Sequence, residues 1–402
     1  MNTQRFFAFS TARSMPTMHS ILHFFKKILP LGLAFTMAAC NSEVPFDPAT
    51  DTTAVAKLVD VPGRQLSSLS VHPNSEEIMF VEFKEDLPSV SRVLRYHLKT
   101  GALQYYDLPA THVYLDAAFA PNGNTIVMRR APNVRGDEEV KRKAYEASEI
   151  VTMKADGSDL KVVPLAPGLK FSPVMSHNGK YIAYWRATQR PDGSKSFASK
   201  FDIWEVNLET GKDQPFAGRH EFFAGGSLQY LKDDQQLLAS ADTPTSQNEP
   251  GRTPGNLSSW MREQTKKFND STIYVLKRGD ELLPMPIATD VNSARRPSAD
   301  RFGNYYFFGY KPKSSYFMTN GSKEHTQWRY PGRTIGSSNE VVVLPNGKAI
   351  VFTFDYKNSP PRGQSTSGIA VFDIERASWT QVDIPSLQNA AATPVLPRGL
   401  TQ

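Results

Sequence analysis

The 402 residues include 46 lysines and arginines, 40 aspartates and glutamates and one cysteine, and the formal net charge is +6. This length allows one large domain or two ordinary ones, and a single cysteine excludes an internal disulfide. Residues 1–39 hold four basic and no acidic side chains, so the remaining 363 residues carry a net charge of only +2, which argues against nucleic-acid binding.

The N-terminal segment has the layout of a secretion signal. Lys26 and Lys27 precede an apolar run over 28–39, and no acidic residue comes before Glu43. A run of about 12 apolar residues is too short to span a bilayer as a helix. It ends in Met-Ala-Ala-Cys, which resembles a bacterial lipobox, whose cysteine is diacylated and becomes the mature N-terminus. We therefore predict a lipoprotein signal peptide over 1–39 and lipidation of Cys40; the alternative is an ordinary secretion signal followed by a chance cysteine.

Residues 40–54 are polar and contain proline, which predicts a lipidated N-terminus followed by a tether. The chain beyond this tether is repetitive. A β-rich hairpin motif with a tight turn, in which Asn178-Gly179 supplies the positive φ angles, recurs along it. The copies are SVHPNSEEIMF (70–80), FAPNGNTIVM (119–128), MSHNGKYIAY (175–184), YLKDDQQLLA (230–239), ADRFGNYYFF (299–308) and VLPNGKAIVF (343–352).

A second hairpin follows each copy, as in DIWEVNLETGKDQPF (202–216). Six four-stranded antiparallel units without helices between them predict an all-β fold, a six-bladed β-propeller over 55–386. We expect residues 56–63 to close the ring by adding an outer strand to the last blade, and residues 387–402 to form a loosely structured C-terminal tail. Seven blades, or a β-sandwich, are the structural alternatives.

The repeats SHNGKYIAY (176–184) and IWEVNLETG (203–211) resemble those of TolB-type β-propellers, over roughly residues 66–386. This resemblance implies the fold but not the function, because such repeats serve envelope scaffolds, lyases and the propellers of prolyl peptidases. The chain departs from TolB itself, since no α/β domain precedes the repeats and TolB carries no lipid. TolB's partnership with a Pal-like lipoprotein therefore does not carry over.

The sequence holds no G-x-S-x-G elbow, P-loop, H-E-x-x-H or EF-hand loop. We accordingly predict no catalytic residue, no metal ligand and no cofactor. An axial metal site, as in some lyases on TolB-like propellers, is the alternative. Its candidate ligands are scattered over different blades: His72, His112, His177, His220 and His325.

One position recurs near the start of each innermost strand. Because side chains alternate along a strand, residues at this position should point the same way, toward the central channel. They are Ser68, Asp116, Ser172, Ser227, Arg296 and Glu340. We take Asp116, Arg296 and Glu340 as channel-lining candidates that either pair with one another or bind a ligand, and Asp116 with Glu340 as a possible carboxylate pair for glycosidic chemistry.

Long connections between second and third strands should all leave one face of a propeller, and long loops tend to be functional or disordered. The longest are 129–148, 186–200, 241–270 and 355–367. Helices are predicted over 137–148 and 256–270. In the second helix an apolar stripe with Trp260 and Met261 offers a partner surface, or packs on the blade tops.

The segments between the two hairpins of each unit together hold 19 basic and 12 acidic residues; they are 84–90, 129–148, 186–200, 241–270, 309–315 and 355–367. Such a surplus predicts a basic rim that attracts anionic partners, unless acids in the same loops neutralise it locally. The rim candidates are Arg129, Arg130, Arg135, Arg186, Arg190 and Arg252.

These patterns predict a lipid-anchored, periplasm-facing, monomeric propeller that acts as a binding or scaffolding module. Its expected partners are the membrane, through the lipid, and an envelope protein or an anionic glycan. Asn41 after the cysteine resembles the signal for sorting to the outer membrane. The alternative function is a propeller enzyme, a lyase or hydrolase, acting on an envelope or imported saccharide.

Overall fold

The computed structural model describes residues 64–84, 87–189, 200–218, 220–222, 225–241, 245–246, 272–280, 293–311, 314–319, 326–329, 335–356, 367–382 and 393–395. Several predictions made from the sequence lie outside these ranges. They concern the signal peptide and tether, the closing segment 56–63, the helix over 256–270, and the residues Cys40, Arg190, Arg252, Trp260, Met261 and His325.

The first half of the described chain forms three antiparallel blades, each built in chain order. Blade A contains β1 (Arg64–Val71), β2 (Glu77–Lys84), β3 (Leu87–His97) and β4 (Leu103–Tyr105). Blade B contains β5 (His112–Phe119), β6 (Thr125–Pro132), β7 (Glu149–Lys154) and β8 (Lys161–Val162), with helix α1 (Glu138–Glu146) between β6 and β7. Blade C contains β9 (Lys170–Met175), β10 (Tyr181–Gln189), β11 (Lys200–Asn207) and β12 (Asp213–Pro215).

The second half continues the same pattern. Two short strands, β13 (His220–Glu221) and β16 (Thr245–Ser246), pair with each other beside sheet D, which contains β14 (Gly225–Tyr230), β15 (Gln236–Ala241) and β17 (Thr272–Lys277). Blade E contains β18 (Ser293–Ala299), β19 (Tyr305–Lys311), β20 (Ser314–Thr319) and β21 (Thr326–Arg329). Blade F contains β22 (Ile335–Val343), β23 (Ala349–Tyr356), β24 (Ser367–Asp373) and β25 (Ser378–Val382), and β26 (Thr393–Pro394) follows it.

The prediction of a propeller made of four-stranded antiparallel blades is confirmed, but the blade count differs from both predicted values. Within the described ranges five blades have four strands or more, and sheet D has three. The segment expected to supply the outer strand of sheet D, LLPM at 282–285, lies outside them. The described chain therefore shows five complete blades, neither the predicted six nor the alternative seven.

Apolar clusters hold neighbouring sheets together. Between blades A and B, for example, Met79 and Val81 pack with Phe119, Ile126 and Met128. The cluster between blades F and A joins the two ends of the repeat array, where Phe80 and Leu94 pack with Leu344, Val351 and Ile369. Because each sheet buries both faces in this way, the stack of sheets closes into a ring.

The C-terminal segment has a place that the sequence did not predict. Strand β26 pairs in parallel with β4, on the outer edge of blade A, and the Val395 amide donates to the Tyr105 carbonyl at 2.9 Å. Val395 also packs against the apolar cluster between blades A and B. This part of the predicted loose tail is thus a fifth strand, and it covers a sheet edge that would otherwise expose unpaired backbone groups.

Each innermost strand carries a β-bulge at about the same height. The register shifts by one residue once in β1, β5, β9, β14 and β18, and twice in β22. Three bulge residues have left-handed backbones although they are not glycine: Ser68 (φ 55°), Ser172 (φ 49°) and Arg296 (φ 58°). Such a backbone costs about 1–2 kcal/mol, and bulges re-aim the side chains beside them. The repeated bulges therefore set the direction of the side chains near the axis, which makes the axis a candidate functional site.

Candidate binding site at the propeller axis

The bulge residues join neighbouring blades through hydrogen bonds. Ser68 of blade A reaches blade B, where its Oγ accepts from the Ala117 amide at 2.7 Å and donates to the Ala117 carbonyl at 3.2 Å. Asp116 of blade B reaches blade C, where its Oδ2 accepts from the Ser172 amide at 3.1 Å. We call this set of residues, with Arg129, Arg296 and Glu340, the axial belt.

The belt continues on the other side of blade A. The Arg296 guanidinium of blade E donates to Glu340 Oε1 of blade F at 2.6 Å. Burial raises the pKa of Glu340 above its usual range, the Arg296 charge opposes this rise, and the nearby Asp116 charge adds to it. A hydrogen bond from the Ser68 backbone also acts on the Glu340 carboxylate. Blades E, F, A, B and C are therefore linked by belt residues, and Ser227 lies at the same bulge of sheet D.

Arg129, predicted for the basic rim, belongs to this belt instead. It lies on β6 directly opposite Asp116, and its side chain is 1% exposed. Its Nε lies 2.7 Å from Asp116 Oδ2, and its Nη1 donates to the Lys170 carbonyl at 3.2 Å. Consecutive arginines on a strand face opposite ways, so only one of Arg129 and Arg130 can point outward.

The channel-lining candidates thus have partners within the chain. Asp116 pairs with Arg129, and Glu340 pairs with Arg296. Pairing of this kind satisfies buried charges and fixes side-chain directions. The use of Asp116 and Glu340 as a carboxylate pair for glycosidic chemistry stays a prediction.

The face from which the β6–β7, β10–β11, β15–β17 and β23–β24 connections emerge is here called the loop face, and the opposite end, with the tight turns, the hairpin face. The predicted helix at 137–148 is confirmed as α1 on the loop face. Asp137 is its N-cap and accepts from the Glu139 and Val140 amides. Tyr145 packs on Val113, Leu115 and Ala131, which fixes the helix to blade B.

The remaining rim arginines in the described ranges lie near carboxylates or at the surface. Arg130 donates to Glu149 Oε2 at 2.9 Å. Arg186 lies 3.2 Å from Asp213 Oδ2 and 4.2 Å above the Trp204 ring. Arg135 is exposed. The rim is therefore partly neutralised by carboxylates on the same blades.

Lys170, at the start of β9, is a residue that the sequence patterns did not single out. It is 2% exposed, and its Nζ donates to the Gly168 carbonyl at 2.9 Å and the Ser148 carbonyl at 3.4 Å. Burial and, to a smaller extent, the Arg186 charge lower the pKa of Lys170 to about 8, while the charges of Asp213 and Glu149 oppose the fall. No motif marks it, because its burial depends on Ser148, which lies 22 residues away in another loop.

Other buried charges join blade C to its neighbours. Glu205 Oε2 accepts from the Tyr230 hydroxyl of sheet D and from Arg278 Nη2, both at 2.6 Å. Lys200 and Glu221 form a pair at 2.5 Å, with 0% and 3% of their side chains exposed. These groups hold sheets in place, since each reaches from one element to the next.

Two of the histidines proposed as alternative metal ligands make hydrogen bonds at different turns. His72 Nε2 lies 3.1 Å from the Gly123 carbonyl, and His177 Nδ1 lies 2.9 Å from Asp234 Oδ1. Burial and the Arg130 charge lower the pKa of His112. Within the described ranges no three His, Cys, Asp or Glu side chains come together as a metal site would require. In the same ranges no helix has the length and hydropathy for crossing a membrane.

No protein-family model matches the chain, and no curated protein matches it. Among solved structures it is similar to TolB from Acinetobacter baumannii, with 12% identity and a TM-score of 0.42 over 63% of this chain and 51% of that one. The putative TolB from Agrobacterium tumefaciens gives 11% identity and a TM-score of 0.46, over 77% and 91% of the two chains. An oligogalacturonate lyase in complex with manganese gives 12% identity and a TM-score of 0.45, over 80% of each chain. The chain thus spans about half of the first of these structures, and the propeller assignment rests on the sheets described above.

Proposed function

We propose that the protein is a cell-envelope propeller, anchored by a lipid on Cys40, that binds an envelope protein or an anionic ligand on its loop face. One observation carries this proposal. The long connections after the second strands share one end of the ring, and one of them holds helix α1, whereas the other end carries tight turns. Long loops on one face of a rigid scaffold are the usual place for binding residues.

Several features support a binding role. The belt charges pair with one another and link blades, which makes the axis a rigid support for the loops. Arg135 and Lys143 are exposed on the loop face and carry positive charges that would attract an anionic partner. Sheet D lies between blade C and blade E and packs against both, so we further propose that it is the sixth blade of the ring.

The anchor is tested by Cys40→Ser. If Cys40 carries the lipid, the variant incorporates no labelled palmitate and is recovered as unprocessed precursor or in the soluble fraction, because the thiol is the only attachment point. The measurement is palmitate labelling and membrane fractionation in a bacterial host. Ser42→Ala serves as the matched control and should behave as wild type. Equal membrane partitioning of Cys40→Ser and wild type would disprove the anchor.

The binding face is tested by photo-crosslinking from defined positions. A photoreactive residue at Arg135 or Lys143 should give a discrete crosslinked product in cells, whereas the same residue at Lys99 or Lys348, exposed on the hairpin face, should not. With the photoreactive residue at Arg135, Lys143→Glu should reduce the yield severalfold, and more at low salt, because screening weakens exposed charges. Matching yields from the two faces would contradict a loop-face partner.

A further inference from the structure

The junction of blades B and C brings two positive side chains together. Lys170 on β9 and Arg186 on β10 are directly opposite each other in the antiparallel register. Such neighbours have Cβ atoms roughly 4.5–5.5 Å apart, and like charges in this arrangement destabilise a sheet. The destabilisation by two adjacent positive charges is larger here, because Lys170 is almost fully buried.

Three of the four cations at this junction have an ion-pair partner, and Asp202 of β11 also lies opposite Arg186 in the register. Arg129 pairs with Asp116, Arg130 with Glu149 and Arg186 with Asp213. Lys170 makes no ion pair with any residue in the described ranges, and its two hydrogen-bond acceptors are neutral carbonyls. An ammonium has three donors, so one donor of Lys170 remains for another acceptor.

Both cations are held in place by the surrounding structure. The Lys170 backbone is fixed on both sides, because its amide donates to Ser148 Oγ at 3.1 Å while Arg129 donates to its carbonyl. Arg186 lies against the Trp204 ring and is anchored by Asp213, whose other oxygen accepts from the Tyr184 hydroxyl at 2.6 Å. The Arg186 side chain is 21% exposed, so Arg186 is the solvent-facing member of the Lys170–Arg186 pair.

We propose that this junction is a binding site for a small oxyanion, a carboxylate or a phosphate, held between Lys170 Nζ and the Arg186 guanidinium. Lysine offers a point charge and arginine a planar fork, and both are common ligands of these groups. One anion supplies the missing acceptor and a counter-charge for Lys170. The inference does not depend on the lipid anchor or on the loop-face partner proposed above.

The experiment measures binding to the purified full chain by calorimetry, with inorganic phosphate and acetate as separate probes and chloride at matched ionic strength as the reference. Wild type should bind a probe, and Lys170→Met should bind it at least tenfold more weakly. Lys161→Met, which removes an exposed lysine on β8, should leave binding unchanged. Binding of phosphate alone indicates a phosphate ligand, whereas binding of both probes indicates a site that also accepts carboxylates.

A second readout guards against a folding defect in the lysine variant. An anion beside Lys170 favours its charged form, so binding at about pH 8.5 should take up protons, which is measured by repeating the titration in buffers of different ionisation enthalpy. Arg186→Gln should weaken binding while circular dichroism stays native. Binding without proton uptake, equal affinity in wild type and Lys170→Met, or no binding of either probe to folded wild type would overturn the proposal.

Discussion

Replacing Arg129 with methionine is expected to lower the free energy of unfolding by about 3–5 kcal/mol at pH 7. The side chain is 1% exposed and neutralises Asp116, whose own side chain is 10% exposed. Its removal leaves a buried carboxylate with the Ser172 amide as a partner and no guanidinium. It also removes the donor to the Lys170 carbonyl, which ties blade B to blade C. Urea denaturation followed by fluorescence measures the loss.

The double variant Asp116→Asn/Arg129→Met separates loss of charge balance from loss of packing. Removing both charges together should recover at least half of the loss, since a buried pair replaced as a unit is often close to neutral. Arg135→Met provides the control, because an exposed arginine in the connection that follows β6 should change stability by no more than about 0.5 kcal/mol. If Arg129→Met lowers the free energy of unfolding by less than about 1 kcal/mol, the Asp116–Arg129 pair does not stabilise the axial belt.

Lys170→Met is expected to raise stability at pH 7, by up to about 3 kcal/mol, in a chloride buffer without phosphate or carboxylate. Burial lowers the pKa of Lys170 to about 8 from 10.5. Between these values the unfolded chain binds more protons than the folded chain, so the stability of wild type should rise with pH from about 8 to 10.5. Below pH 8 the full cost of the buried charge applies.

The test compares urea midpoints of wild type and Lys170→Met at several pH values from 7 to 10.5. Other titrating groups contribute to both proteins and cancel in the difference in stability, which should stay constant up to about pH 8 and then shrink toward pH 10.5. Lys161→Met should follow wild type, since Lys161 is exposed and paired with Asp159. If the urea midpoints of wild type and Lys170→Met change with pH in parallel, then the charge on Lys170 does not destabilise the folded protein.

The turns made the blades predictable from sequence. Gly123, Gly179 and Gly347 all have φ near 70°, and each follows Asn in a hairpin between innermost and second strands. Strand pairing follows from such turns, because register is set locally. Ring closure has no such local signal. The pairing of Thr393 and Pro394 with β4 is fixed by packing of Val395 near Tyr106, and their sequence reads as a loop.

The candidate site was predictable only in part, for a related reason. Asp116, Arg296 and Glu340 recur at one repeat position, so register alone brings them to the axis. Arg129 was assigned to the rim because it opens a long connection in the sequence, whereas β6 extends through it to Pro132. Lys170 depends on Ser148 and Gly168, which belong to separate loops, and its charge environment is a product of the tertiary fold.

The contact between the first and last blades also sets the order in which the protein can fold. The Asn346 amide donates to Ser75 Oγ across 271 residues of chain, and the core between blades F and A joins equally distant segments. Contacts so far apart in sequence form slowly, because the chain entropy of a very large loop must be lost first. A nascent chain therefore completes blade A only after blade F and β26 have been synthesised.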